Sequence, residues 1–294
     1  MAAEKWISEP MRAASTLAPA SFGMPPNACD SHMHVFGPVD AYPGVPDAKY
    51  TKPEGDLAQY LAVAERLRIA RLVFVQASFY GSDNRCILDA MAQCGRPARA
   101  VVFLPPAPSA ALLDDYRARG VRGVRLDLFK ADAAGASIAE IRARIAEASA
   151  IARPLGWHLE FYAPGRWVRD LLPDLADLEV EWCVNHMGYM TAEEGLTDAD
   201  FQALVDLVRH RGWVKLTGPY RVSHDGPDER PDAMARALIA AAPGRLVWGT
   251  DWPHIPKGGR DTGALLNRLA LWCPDPVIRN RILVDNPSRL YDFG

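Results

Sequence analysis

From residue 28 to residue 272 short β-branched runs alternate with longer segments of helical period, and few architectures accept such an order. The strand candidates are 28–35, 71–77, 99–104, 123–128, 157–162, 180–185, 213–217 and 246–250. Helical candidates lie near 56–69, 84–94, 109–119, 137–153, 165–176, 198–211, 231–242 and 261–272, and a further helix over 275–285 closes the chain. Asp56 caps the first helix, and Thr197 or Asp198 the sixth. This order implies a parallel sheet with crossover helices. Eight such units predict an α/β protein built as a (β/α)8 TIM-like barrel, although a large doubly wound sheet gives a similar string. Polar residues gather at the C-terminal ends of the strands, which is where a barrel carries its chemistry. The Pro-rich stretch after Phe36-Gly37-Pro38 cannot open a phosphate-binding helix, which disfavours a dinucleotide fold.

The 294 residues suit one barrel of roughly 250 residues with modest extensions. Residues 27–294 are therefore read as the barrel domain. Residues 1–26, rich in Ala, Ser and Pro without sustained period, are read as an N-terminal arm over its surface. A formal charge of −3, with both signs scattered, offers no surface for nucleic acid and no polybasic membrane anchor. Cys29, Cys86, Cys94, Cys183 and Cys273 are odd in number and form no C-x-x-C pair, against a disulfide framework or structural zinc. No apolar leader core and no run near ~18 apolar residues is present. These features predict a cytoplasmic protein, monomeric or a small homo-oligomer, with no membrane partner.

The sharpest local feature is Asp30-Ser31-His32-Met33-His34-Val35-Phe36. On a strand, residues two apart share a face, so His32 and His34 project together and can polarise one carbonyl or bind one metal ion. Alone, H-x-H arises readily by chance and serves structural roles as often. His186 ends the sixth strand and Asp251 the eighth, which barrel closure places beside the first. Arg125 and Arg221 end strands four and seven; each either binds an anion through its planar fork or pairs with a neighbouring acid such as Asp127 or Asp225. Ser78 and Tyr162 end strands two and five, and Tyr50 lies in an irregular segment suited to a lid.

His32-x-His34, His186 and Trp248-Gly249-Thr250-Asp251-Trp252-Pro253-His254 resemble the amidohydrolase superfamily, amidohydrolase-2 type. The branch resembled hydrolyses 2-pyrone-4,6-dicarboxylate or 4-sulfomuconolactone. Lys49-Tyr50, Val75-Gln76-Ala77-Ser78, Arg122-Gly123-Val124-Arg125 and the closing Asn286-Pro287-Ser288-Arg289-Leu290-Tyr291 extend the likeness over the chain after residue 25. The resemblance implies a hydrolase that opens a small anionic lactone from aromatic-compound degradation. Asp251 would be the general base, with His32, His34 and His186 around the scissile carbonyl. Tyr50, Ser78, Arg125, Tyr162, Arg221 and His254 would hold the substrate. Two positions depart from the pyrone hydrolase pattern: Ala131 follows Lys130, and Tyr189 follows His-Met-Gly, each where that enzyme has Arg. Losing a bidentate partner for a buried anion costs on the order of 2–5 kcal/mol unless something replaces it.

No obligatory cofactor is expected. A single divalent metal such as zinc, if bound, would take His32, His34, His186 and Asp251. The alternatives on the same barrel are a metal-dependent decarboxylase and a sugar-acid lactone isomerase; the pair Asp251 and His254 resembles the hydrolases more closely.

Overall fold

A computed structural model of the chain describes residues 5–191, 196–223 and 229–294. The strands are β1 (Cys29–Met33), β2 (Arg71–Val75), β3 (Ala98–Val102), β4 (Val121–Asp127), β5 (His158–Tyr162), β6 (Trp182–Val184), β7 (Trp213–Leu216) and β8 (Leu246–Trp248). All pair in parallel, in the order of the sequence. The last joins the first: Asp251 N donates to His32 O at 2.8 Å and His34 N to Trp252 O at 2.9 Å, beside a bridge between Met33 and Trp252. Gly249 permits this approach, because a Cβ there would lie 2.6 Å from His32 N and 2.7 Å from its Cβ. The (β/α)8 barrel, rather than the doubly wound sheet, is therefore the fold.

Helices α1 (Leu57–Arg66), α2 (Arg85–Gln93) and α3 (Ala110–Ala118) follow the first three strands. A short α4 (Leu128–Ala133) stands where the sequence reading placed none. Asp127 opens it by accepting from Lys130 N. Then come α5 (Ile138–Leu155), α6 (Gly165–Asp177), α7 (Asp198–Val208), α8 (Arg230–Ala241) and α9 (Thr262–Trp272). The extra helix expected over 275–285 runs further, as α10 (Pro276–Asn280), a π-helical turn at Arg281–Asp285 and α11 (Asn286–Tyr291). Reciprocal capping boxes start α1 (Asp56, Gln59), α5 (Ser137, Glu140) and α7 (Thr197, Asp200). None of the helices is long and apolar enough to cross a membrane, among the described residues. The five cysteines are buried and unpaired.

Inside the barrel the side chains lie in layers. The lowest is apolar: Cys29, Val73, Val101, Cys183, Trp213 and Val247, closed from beneath by Tyr291 of α11. Above it are His158 and Glu160 of β5 and Lys215 of β7, all buried. His158 packs over Gly123, where any Cβ would meet its ring at 2.5 Å. The top layer holds the histidines and Asp251.

The arm does more than cover the domain surface. Trp6 pairs with the segment after β1, its N–H donating to Lys49 O and its carbonyl accepting from Thr51 N, both at 2.9 Å. Glu9 N donates to Pro256 O in the loop after β8. Further along, Asp261 accepts from Ala18 N while also capping α9. The arm thus runs along the segments that follow β1 and β8, two neighbouring strands.

Candidate active site

Asp251 follows β8 in the left-handed region, at φ 58°, and His186 follows β6 at φ 50°. Such backbone is costly for non-glycine residues, by roughly 1–3 kcal/mol, and is characteristic of functional sites. The two carboxylate oxygens of Asp251 have different surroundings. Oδ2 accepts from Tyr220 Oη at 2.6 Å and from Arg221 Nε at 2.5 Å. Oδ1 has no hydrogen-bond partner among the described residues, and His32 Nε2, His34 Nε2 and His186 Nε2 lie 3.7, 3.8 and 3.8 Å from it. The sequence-derived catalytic set, His32, His34, His186 and Asp251, is therefore gathered around one atom.

Burial works against the Asp251 charge, yet Arg221, His186 and His34 together outweigh it and hold the carboxyl below its ordinary range. The imidazoles are neutral at neutral pH. Burial is the main cause: it lowers His34 to about 4 and His186 to about 3, and takes His32 well below its ordinary value with help from Lys215. His254, lowered to about 4 by burial, is held between Tyr220 Oη at 3.0 Å and Thr262 Oγ1 at 3.0 Å.

A cavity of about 720 Å³ opens at this end. Tyr50, Ser78, Tyr162, Arg221 and His254 line it, as do Trp6 and Ile7 of the arm. Tyr50 Oη contacts Ser78 Oγ at 3.4 Å and accepts from Phe79 N at 3.2 Å, so the expected lid residue is pinned against strand two's end. Arg125 lies deeper: it is not among the lining residues, stacks 4.7 Å from the Tyr162 ring and donates to Gln76 O at 2.5 Å. Asp127 caps α4 instead of pairing with it. Arg221, read as binding an anion or pairing with a neighbouring acid, lines the cavity and pairs with Asp251; Asp225, the acid suggested for it, lies outside the described residues.

The sequence reading missed Tyr220, Thr217, Lys215 and Glu160. Thr217 Oγ1 contacts His186 Nδ1 at 2.7 Å, and Lys215 Nζ pairs with Glu160 Oε2 at 2.6 Å. A signal existed: Glu160 between Leu159 and Phe161, and Lys215 between Val214 and Leu216, cannot be solvated in a barrel whose strands are covered on both faces.

Ligand atoms of His32, His186 and Asp251 lie within 4.8 Å of one another, a spacing that one divalent ion could span. A ligating imidazole must also present a lone pair. His34 does so at Nε2, because its Nδ1 lies 2.8 Å from Val75 O, which can only accept. His32 does not, because its Nδ1 faces the Lys215 ammonium at 3.2 Å, which can only donate. The set fits a metal in spacing and not in protonation, so no step below runs through one.

Imidazoles at the ends of β1 and β6 and a carboxylate after β8, converging at the C-terminal rim of a (β/α)8 barrel, define a class of barrel enzymes that carry their chemistry at that rim. Sequence comparison places the chain within it: the chain belongs to the amidohydrolase family, whose model matches residues 29–293. It is similar to a 4-sulfomuconolactone hydrolase of Rhizobium radiobacter, 36% identical over 280 residues and covering 93% of each chain. A 2-pyrone-4,6-dicarboxylate hydrolase of Comamonas testosteroni is 34% identical over 288 residues, 92% of each chain. A D-galactarolactone isomerase of Agrobacterium fabrum (strain C58 / ATCC 33970) is 30% identical over 302 residues, 98% of each chain.

Proposed function

We propose that this protein hydrolyses a small anionic lactone of the sulfomuconolactone or pyrone dicarboxylate type. The observation that carries this reading is the divided carboxylate of Asp251, with one oxygen pinned by Tyr220 and Arg221 and the other facing three imidazole Nε2 atoms. In this mechanism Asp251 Oδ1 takes a proton from water, and the water oxygen adds to the lactone carbonyl carbon. Imidazole N–H groups stabilise the charge that forms on the carbonyl oxygen. The ring C–O bond then breaks, its electrons go to the former ester oxygen, and that oxygen takes up a proton. In a pyrone or enol lactone it leaves as an enolate, which reduces the need for a Lewis acid, so no metal is obligatory.

Arg221 has two tasks in this scheme. It lines the cavity, where an acid group of the substrate can claim its remaining N–H donors, and it tempers the basicity of Asp251. A substrate anion that draws on the same guanidinium loosens its hold on Asp251 and strengthens the base. The substrate's second acid group would meet the hydroxyls of Tyr50, Ser78 and Tyr162, which line the same cavity.

The deciding assay offers pyrone dicarboxylate and sulfomuconolactone side by side and weighs the product. Gain of one water on either compound supports the proposal. An isomer of unchanged mass, or release of carbon dioxide, would replace it with the isomerase or decarboxylase reading. In parallel, turnover should survive exhaustive chelation; activity lost with the chelator and restored by zinc would end the metal-free version.

A further inference from the structure

We propose that the buried pair Lys215–Glu160 is a positioning device that fixes His32 as a hydrogen-bond donor, presenting Nε2–H rather than a lone pair toward the reacting centre. Lys215 and Glu160 are fully buried and, like His32, His34, His186 and Asp251, are not among the residues that line the cavity. An ammonium has three N–H groups and no acceptor. Lys215 Nζ donates to Ser31 O at 2.8 Å, is ion-paired with Glu160 Oε2 at 2.6 Å and faces His32 Nδ1 at 3.2 Å. Toward an ammonium, which has no lone pair, His32 Nδ1 can only accept. A neutral imidazole carries one proton, which must then sit on Nε2.

The alternative route is too long. His32 Nδ1 is 3.7 Å from Glu160 Oε1, beyond hydrogen-bond range, so the ring cannot satisfy itself by donating downward to that carboxylate. Glu160 keeps its charge, since the adjoining Lys215 offsets the penalty of burial.

His34 is set the opposite way. Its Nδ1 proton is committed to Val75 O, so a bare Nε2 faces Asp251. The two histidines of the H-x-H motif therefore have opposite polarity around one carboxylate oxygen. His32 can donate to a developing oxyanion, while His34 can only accept, from water for instance. The Lys–Glu pair acts through His32 and makes no contact with substrate.

The catalytic part of this inference rests on the lactone opening proposed above, whereas the tautomer does not. Long-range 1H–15N correlation spectra of the full chain, labelled in histidine and assigned with His32→Gln, read the tautomer directly. The expected wild-type signature is protonated Nε2 and bare Nδ1 at His32, retained in Lys215→Arg. In Lys215→Met/Glu160→Gln, which removes both buried charges together, the signature should be lost and kcat should fall at least about tenfold while KM stays within about threefold. A wild-type His32 protonated on Nδ1 overturns the proposal, whether or not the double variant folds. So does a folded double variant that keeps kcat. If His32 shows Nε2–H and no lactone is opened, the tautomer stands and only the function reading falls.

Discussion

At the scale of single residues, the site divides into groups that meet the substrate and groups that aim them. Asp251→Asn removes the base without changing shape: turnover should drop to below about a tenth of wild type, with the circular dichroism spectrum unchanged. Because Arg221 holds both Asp251 and the cavity wall, Arg221→Met should raise KM and lower kcat together, which steady-state kinetics would show. An effect on KM alone would mean that its contact with Asp251 is incidental. His32, His34, His186 and Asp251 were legible in the sequence because strand periodicity and barrel closure suffice to bring them together. Lys215 and Glu160 were not, although each stands alone among apolar neighbours: reading from strand ends directs attention to the rim and away from the layer beneath. Tyr220 escaped because it sits in a turn whose direction no periodicity sets.

At the scale of elements, all eight strands were foreseen; β5 ends at Tyr162 as expected, and the other seven end one or two residues earlier than read. The run 180–185 reads as strand throughout, yet β6 stops at Val184, because His186 takes a left-handed backbone that leaves the ladder. The same happens after β8 at Asp251. The course of the chain around Trp6 and Glu9 was not legible, since the backbone bonds from Trp6 to Lys49 and from Glu9 to Pro256 carry no side-chain signal. Deleting residues 1–10 should open the cavity mouth and raise KM more than it changes kcat, measured on whichever lactone is turned over. Capping is easier to read in sequence. Ser137→Ala, at the exposed start of α5, should cost about 1 kcal/mol, seen as a lower urea midpoint with unchanged slope.

For the molecule as a whole, burying neutral histidines makes stability depend on pH in a direction that can be worked out. His34 and His254 titrate near 4 and His186 near 3 in the folded chain, against 6.5 when unfolded. Between those values the unfolded chain binds more protons, so acidification below about 6.5 favours unfolding. Glu160, held down at about 2, adds a contribution that is present above about 4.5 and lost as the pH falls toward 2. Urea midpoints should therefore be level near neutrality and decline steadily from about pH 6.5 to 4; a midpoint that rises on acidification would show that these rings are protonated in the folded state.

The course of the arm also sets where other sequences can be attached. Trp6 stands at the rim that substrate must cross, whereas Tyr291 and Asp292 are bound by Arg99, at the start of β3, on the opposite end of the barrel. A purification tag or fusion partner joined at the front would hang in the doorway, and its linker would compete for the entrance. Joined behind Gly294, the same appendage lies about the full height of the barrel away, so kinetics from the two formats should differ in KM and agree in kcat.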